Sequence, residues 1–289
     1  MIAQTYAMSR VLWLLRSAHP EPAGAVVVVS ALLAVVVGRT PWGVAQVAAT
    51  MAASQLCVGW VNDWLDADRD AAVGRPDKPV ALGKISRRAV GVAGLVAGLA
   101  VVPIAALAGV RAAVAATIGL VSGVSYDWPL KFTVASPLPY MLSFAALPAF
   151  VVFGKPGTRP RGPSTTAGYP AWWMVLAAGL LGGGAHFVNV LPDIADDTRT
   201  GVRGLPHRLG PTGSWLAGGV LLLGATAVLV FGPARTPSWV SIGLLAVAVV
   251  ALPVGWYFSR RPGSRAPFRA VLVVALADVV LLLISGTGA

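Results

Sequence analysis

Charge is scarce in this sequence, and acid scarcest of all. Only 11% of its 289 residues are charged, and just 11 are Asp or Glu. An ordinary soluble domain carries about 25% charged residues, so most of this surface must face something other than water. The single cysteine, Cys57, excludes an internal disulfide and any metal site built from several thiolates. Its chemistry suggests a small packing residue. A signal-peptide pattern is also missing. The apolar patch at Val11–Leu15 is short, and His19-Pro20-Glu21-Pro22 is unlike a small-residue cleavage site, so Met1 is read as part of the mature protein. The net charge of +11 does not mark a nucleic-acid binder, because Lys and Arg are scattered over short loops and form no basic face interleaved with aromatics.

Apolar residues make up 56% of the chain and come in long blocks rather than at the spacing of a surface helix. A spanning helix needs about 20 of them. The pattern predicts an all-α, polytopic membrane bundle forming one domain over residues 1–289. It has nine spans, near 22–38, 42–61, 89–109, 112–127, 136–153, 172–192, 213–231, 238–258 and 269–285. Turn-rich breaks such as Arg39-Thr40-Pro41 and Gly232-Pro233 separate them, and Gly154–Pro170 reads as an exposed loop. With nine spans, 16 of the 22 Lys and Arg fall on the side of the N-terminus. The positive-inside rule then makes that side cytoplasmic, together with the loops after spans 2 and 6. High Ala, Val, Gly and Arg usage suggests a GC-rich bacterial source, hence a bacterial cell membrane.

Both of those loops carry acid. The first holds Asn62-Asp63-Trp64-Leu65-Asp66-Ala67-Asp68-Arg69-Asp70; the second holds Asn189-Val190-Leu191-Pro192-Asp193-Ile194-Ala195-Asp196-Asp197. On a helix, Asn62, Asp66 and Asp70 share a face with Asp63 beside them, and Asp193 and Asp197 share another with Asn189 one turn earlier. Like charges one turn apart, at helix C-terminal ends, repel each other and oppose the helix dipole. Such groups want a cation. All-oxygen ligands favour a hard ion, and Mg²⁺ takes one or two carboxylates together with water and substrate phosphate. Two such clusters across a cavity suit a diphosphate. The plainer alternative is solvated loop acids paired with Arg69, Arg75 and Arg199.

Basic residues follow each cluster: Arg75, Lys78 and Lys84 after the first, Arg199 and Arg203 after the second. Tyr126 and Lys131 lie after span 4 on the same side of the membrane. Near a metal, these cations can neutralise charge developing on a leaving group. Arg87, Arg88 and Arg260–Arg269 are read as topology signals. Trp60, Trp64 and Trp128 adjoin the motif segments, where an aromatic face can stabilise a cation. Trp172, Trp173 and Trp239 suit an interfacial belt instead. His186 reads as an interhelical hydrogen-bonding residue, with a base or acceptor contact as the alternative. His207 falls in a cytoplasmic loop and His19 near a helix start. Asp278, inside the last span, is a functional candidate by its position.

These motifs resemble those of the UbiA superfamily of intramembrane prenyltransferases. Asn62-Asp63-x-x-Asp66-x-x-x-Asp70 with Arg75-Pro76 is similar to that family's first motif, and Asp193-x-x-x-Asp197 with Thr200 to Gly210 is similar to its second. Tyr126 to Lys131 resembles its Tyr…Lys segment. The first-helix Arg-Pro of the family appears here as Arg16-Ser17-Ala18-His19-Pro20, and Lys78 stands where many members carry another residue. The resemblance implies a bundle around a central cavity, and the interval of four spans between the two acidic sites suggests a repeated half within it. The resemblance also implies Mg²⁺-dependent ionisation of an allylic prenyl diphosphate. The ligand and catalytic set would be Asp63, Asp66, Asp70, Asp193 and Asp197 with Tyr126 and Lys131. The substrate contacts would be Asn62, Trp64, Arg75, Lys78, Asn189 and Arg199. In the larger part of the family an aromatic acceptor captures the carbocation; in a smaller branch the prenyl chain attacks itself, as in a terpene cyclase. A cation or lipid-phosphate transporter is the reading outside this chemistry.

Overall fold

The computed structural model describes residues 10–154, 165–166, 168–259 and 266–287. A short helix α1 (Arg10–Arg16) turns by 70° into α2 (Pro20–Val36). The corner is His19, whose backbone takes the left-handed conformation at φ 53°. Pro20 follows it and disfavours ordinary helical geometry in the residue before. Helix α3 runs from Pro41 to Ala72; the Thr40 side chain accepts from the Gly43 amide at 3.1 Å and caps its start. Ser86 caps α4 (Arg87–Ala106) in the same way.

Helix α5 (Val110–Asp127), a 3₁₀ turn (Leu130–Phe132), α6 (Pro137–Phe153) and α7 (Trp172–Val190) follow. A second 3₁₀ turn (Leu191–Asp193) leads to α8 (Ile194–Arg199), then α9 (Leu205–Phe231), α10 (Trp239–Ser259) and α11 (Ala266–Thr287). Between α6 and α7, β1 (Thr165–Thr166) and β2 (Tyr169–Pro170) form a small antiparallel pair. Residues 155–164 and 167 of the Gly154–Pro170 loop lie outside the described residues, as do residues 260–265.

Long helices adjacent in sequence pack side by side, and α11 returns to α2, which closes the bundle. The interiors of α6 and α7 meet at Gly182, where an added Cβ would lie 2.4 Å from the Tyr140 carbonyl oxygen. Lipid offers no hydrophobic drive between helices, so close backbone approach at small residues is how they gain contact. Gly59 does the same for α3, lying against the Ala18 backbone at the α1–α2 corner.

The all-α membrane bundle expected from the sequence is observed. Among the described residues, nine helices of 17 to 32 residues coincide with the nine predicted segments. By length and composition, however, only five are long and apolar enough to cross a membrane, or six if α1 and α2 count as one bent span. Length accounts for two of the four helices that fall short. At 1.5 Å per residue, 17 residues make about 26 Å, less than the ~30 Å hydrocarbon core, and α2 and α6 have that length. Helix α9 begins eight residues before the predicted span because it continues across a kink at Gly210 (φ 69°, ψ 178°) and Pro211.

At the end of the bundle away from the acids, Arg39 is buried. Its guanidinium donates to the Val151 carbonyl (3.0 Å) and the Gln46 side chain (2.8 Å), and Gln46 donates to the Ile104 carbonyl (2.7 Å). These carbonyls lie at the C-terminal ends of α6 and α4, where the helix dipoles favour a positive charge. Within the membrane, Thr226 of α9 donates to Asp278 of α11 at 2.5 Å.

Candidate functional site

The helix of α3 continues past the membrane segment to Ala72, and this fixes the first motif. Asn62 and Asp66, one turn apart, are hydrogen-bonded at 3.1 Å, and the same Asn62 amide donates to Asp127 at the end of α5, also at 3.1 Å. Asp63, Asp66 and Asp70 are all buried, with Asp63 only 1% exposed. Buried carboxylates need compensation, and each has a basic neighbour. Lys131, from the 3₁₀ turn after α5, donates to both oxygens of Asp66 at 2.5 and 2.8 Å, and Arg69 adds a third bond at 2.6 Å. Lys78 donates to Asp63 at 2.7 Å, and its ammonium is 3.9 Å from Asp70.

The second motif is built differently. Pro192 has no amide hydrogen to continue the ladder of α7. The helix ends at Val190, tightens into the 3₁₀ turn and restarts as α8. Asp193 and Asp197 therefore sit on a broken helix rather than on the continuous face that the spacing predicts, and both are half-buried. Arg75, from the loop after the first motif, donates to Asp193 at 3.1 Å and so joins the two motif ends. Its other partner is Asp77, at 3.1 Å through two bonds. That pairing holds the Asp77 carboxyl below the usual carboxylate range and the Arg75 guanidinium above its own ordinary value.

Between the motifs lie aromatic rings. Tyr126, Tyr140 and His186 surround one another with centroids 4.9 to 5.3 Å apart. The Tyr140 hydroxyl is hydrogen-bonded to Asn189, and Tyr126 is within electrostatic reach of Asp66 and Asp197. Asn189 is exposed although Val188 and Val190 on either side of it are buried, so this face of α7 borders open space.

The UbiA prenyltransferase family model matches residues 23–277, which is most of the chain and includes both acidic motifs, Lys131 and the rings between them. The chain belongs to the UbiA prenyltransferase family. It is accordingly an enzyme of that family. A relative in Methanopyrus kandleri, a digeranylgeranylglyceryl phosphate synthase, is 31% identical over 188 residues, or 62% of this chain. That match spans 65% of the relative's own length. Among solved structures, a UbiA homologue of Archaeoglobus fulgidus bound to GPP and Mg²⁺ has a TM-score of 0.67 at 13% identity, covering 96% of this chain and all of that one. The apo UbiA homologue of Aeropyrum pernix K1 has a TM-score of 0.63 at 18% identity, covering 94% and 98%. At these identities the likeness concerns the fold.

Not every residue singled out in the sequence meets the others in this UbiA fold. Trp64 is 41% exposed and packs against Gly91 of α4, beneath the Arg87 guanidinium. Trp128 is exposed and touches Phe132. Trp60 is buried and donates to the Leu14 carbonyl. Arg199 pairs with Asp196 on the surface. Cys57 is buried against Gly98, as a packing residue would be.

Besides Tyr140, three residues join the site without having been assigned to it. His19 Nε2 lies 2.9 Å from the Lys78 ammonium and 3.1 Å from Asp63. An ammonium only donates, so Nε2 accepts from it. This brings the first-helix corner to the first motif through a residue type the family pattern did not suggest. Asp127 lies beside Asn62, and His207 is 3.2 Å from Asp197. Asp127 could have been found from its place between Tyr126 and Lys131; His207 carried no sequence signal.

Mg²⁺ is the ion this donor set suits. Carboxylate oxygens are hard donors, and Asp63 and Asp127 each keep one buried oxygen without a hydrogen-bond partner among the described residues. No three His, Cys, Asp or Glu side chains converge to form a metal site by themselves among the described residues.

Proposed function

We propose that this chain spans the membrane nine times, its N-terminus and motif loops cytoplasmic and its source bacterial, and there ionises an allylic prenyl diphosphate with Mg²⁺. It transfers the prenyl group to an acceptor, with the two motif ends facing each other across a central cavity. The observation that carries this reading is Arg75. Its guanidinium comes from the first motif's loop and bonds Asp193 of the second, so one cation reaches both acidic ends. Asp63, Asp66, Asp70, Asp193 and Asp197 are the residues that would hold Mg²⁺. When bound, the ion supplies Lewis-acid stabilisation of the diphosphate leaving group.

The chain's own residues account for the remainder. Lys131, Lys78 and Arg75 bind the diphosphate oxygens and offset the charge that grows as the carbon–oxygen bond breaks, its electron pair leaving with the diphosphate. Asn62 and Asn189 orient the head group. Tyr126, with Tyr140 and His186 behind it, presents ring faces to the allylic cation, each worth about 0.5–2 kcal/mol. The acceptor then bonds to the cationic carbon and gives up a proton.

An aromatic acceptor is the first choice for quinone-type biosynthesis. The likeness to a digeranylgeranylglyceryl phosphate synthase favours a second class, a prenylated glycerol phosphate. The deciding assay follows diphosphate release by purified protein with Mg²⁺ and prenyl diphosphates of several lengths. It is run alone, with hydroxybenzoate- or naphthoate-type aromatics, and with a prenylglyceryl phosphate. Release only with one acceptor class identifies it; a cyclic product without acceptor would make the enzyme a cyclase. No release in any arm by folded protein would overturn the reading.

A further inference from the structure

Lys78 is held more tightly than a substrate-binding residue waiting for its ligand would be. It is 6% exposed, although lysine is a strongly hydrated cation. Its ammonium is 2.7 Å from Asp63 Oδ1, 2.9 Å from His19 Nε2 and 3.9 Å from Asp70 Oδ2. It therefore sits between two carboxylates that would ligate a divalent ion, with a neutral imidazole nitrogen as a third contact. Lys131 stands in the same relation to Asp66, but it arrives from another helix end. Lys78 returns from the loop just after the motif.

We infer that Lys78 is a resident counter-ion that occupies a cation position between Asp63 and Asp70 and must be displaced before that position can hold metal. The inference rests on the metal-dependent reading above and adds an order of events to it. Without metal, the ammonium compensates a carboxylate that is 1% exposed, so the folded apo protein needs no ion. Asp70 is the weakly held member: its contact with Lys78 is beyond hydrogen-bond length, which makes it the open edge for an incoming ion. The displaced ammonium keeps its flexible stem and its charge, and diphosphate oxygens are the acceptors that can take it. Metal and diphosphate therefore bind cooperatively: each removes a reason for Lys78 to stay on Asp63.

The test is direct binding of Mn²⁺, followed by its electron paramagnetic resonance signal, to detergent-purified wild type, Lys78→Met and Lys78→Gln, each with and without inorganic diphosphate. The control is Lys84→Met. Expected is tighter Mn²⁺ binding without diphosphate in both Lys78 variants, by about tenfold or more, the scale on which groups around metal ligands set affinity. The gain from diphosphate should be large in wild type and small in the variants. Equal Mn²⁺ affinity in wild type and the Lys78 variants would overturn the inference and leave the metal-dependent reading standing. No Mn²⁺ binding by any of the proteins, even with diphosphate, would overturn both. Should Lys78→Met be too unstable for titration without metal, the rise in its melting temperature on adding Mn²⁺ must exceed that of wild type; an equal rise has the same negative meaning.

Discussion

Replacing Lys131 by Met should both destabilise the protein and slow it, through one lost charge. The ammonium is 4% exposed and donates to both oxygens of Asp66, which is itself 7% exposed. Removing one partner of a buried pair costs about 3–5 kcal/mol, because the remaining charge is left uncompensated. Here the loss is partial. Asp66 retains Arg69 at 2.6 Å and Asn62 at 3.1 Å, so about 3 kcal/mol, the lower end of that range, is expected. Adding Asp66→Asn to Lys131→Met removes the orphaned charge and should recover most of that loss. Thermal denaturation of the four proteins in one detergent measures this coupling. On turnover, losing one preorganised donor to a leaving group costs about 10²–10³-fold. The double variant should stay slow while regaining stability. Wild-type stability in Lys131→Met, or no recovery in the double variant, would refute the argument that this pair is a compensated buried charge. An unchanged rate of diphosphate release would remove Lys131 from the reaction.

Gly59→Ala should push the α1–α2 corner off α3, since the new Cβ would meet the Ala18 carbonyl oxygen at 2.6 Å. A loss of about 1–3 kcal/mol is expected for such overpacking, with slower turnover as His19 leaves Lys78; a stable, fully active variant would show that the corner does not need its position. Asp278→Asn should be nearly neutral in melting temperature, because the amide oxygen can still accept from Thr226, whereas Asp278→Leu should be worse by about 1 kcal/mol, the one interhelical hydrogen bond lost, since Thr226 then keeps only the Leu222 carbonyl of its own helix. Equal effects would mean the hydrogen bond is not what the position is for. For Asp77 the sign is that of a depressed carboxyl. Its pairing with Arg75 stabilises the fold above the ordinary value of about 3.9 and is lost as pH falls through its lower folded value. Asp77→Asn should therefore lower the melting temperature slightly at neutral pH, the pair being half exposed, and not at all in strong acid. A gap that widened on acidification would contradict it.

The nine helix positions were legible because long apolar blocks and proline or glycine breaks are local signals. The face shared by Asn62, Asp66 and Asp70 was legible too, because α3 continues as regular helix where i,i+4 arithmetic holds. That arithmetic failed at Asp193 and Asp197, where Pro192 breaks the ladder. A proline in the pattern was the warning, and the helical spacing overrode it. Arg69, offered by the sequence as a partner of these acids, does bond Asp66, but the distant partners of the buried acids were hidden for another reason. His19 and Asp63 are 44 residues apart and Lys131 and Asp66 are 65 apart, distances over which only the packed bundle decides what meets. Trp64 shows the converse: adjacency to Asp63 in sequence turned it toward α4, since neighbouring residues on a helix point about 100° apart.

The Arg39 knot at the far end bears on how such a bundle can move. It fastens the ends of α3, α4 and α6 through carbonyl and amide oxygens, groups that neither a metal ion nor an anion arriving at the opposite rim competes for. The acid rim, by contrast, is latched by ion pairs that incoming charge can exchange. The two rims of the bundle are therefore held by contacts of different kinds: neutral acceptors keep Arg39 in place whatever the salt, and ion pairs hold the acid rim.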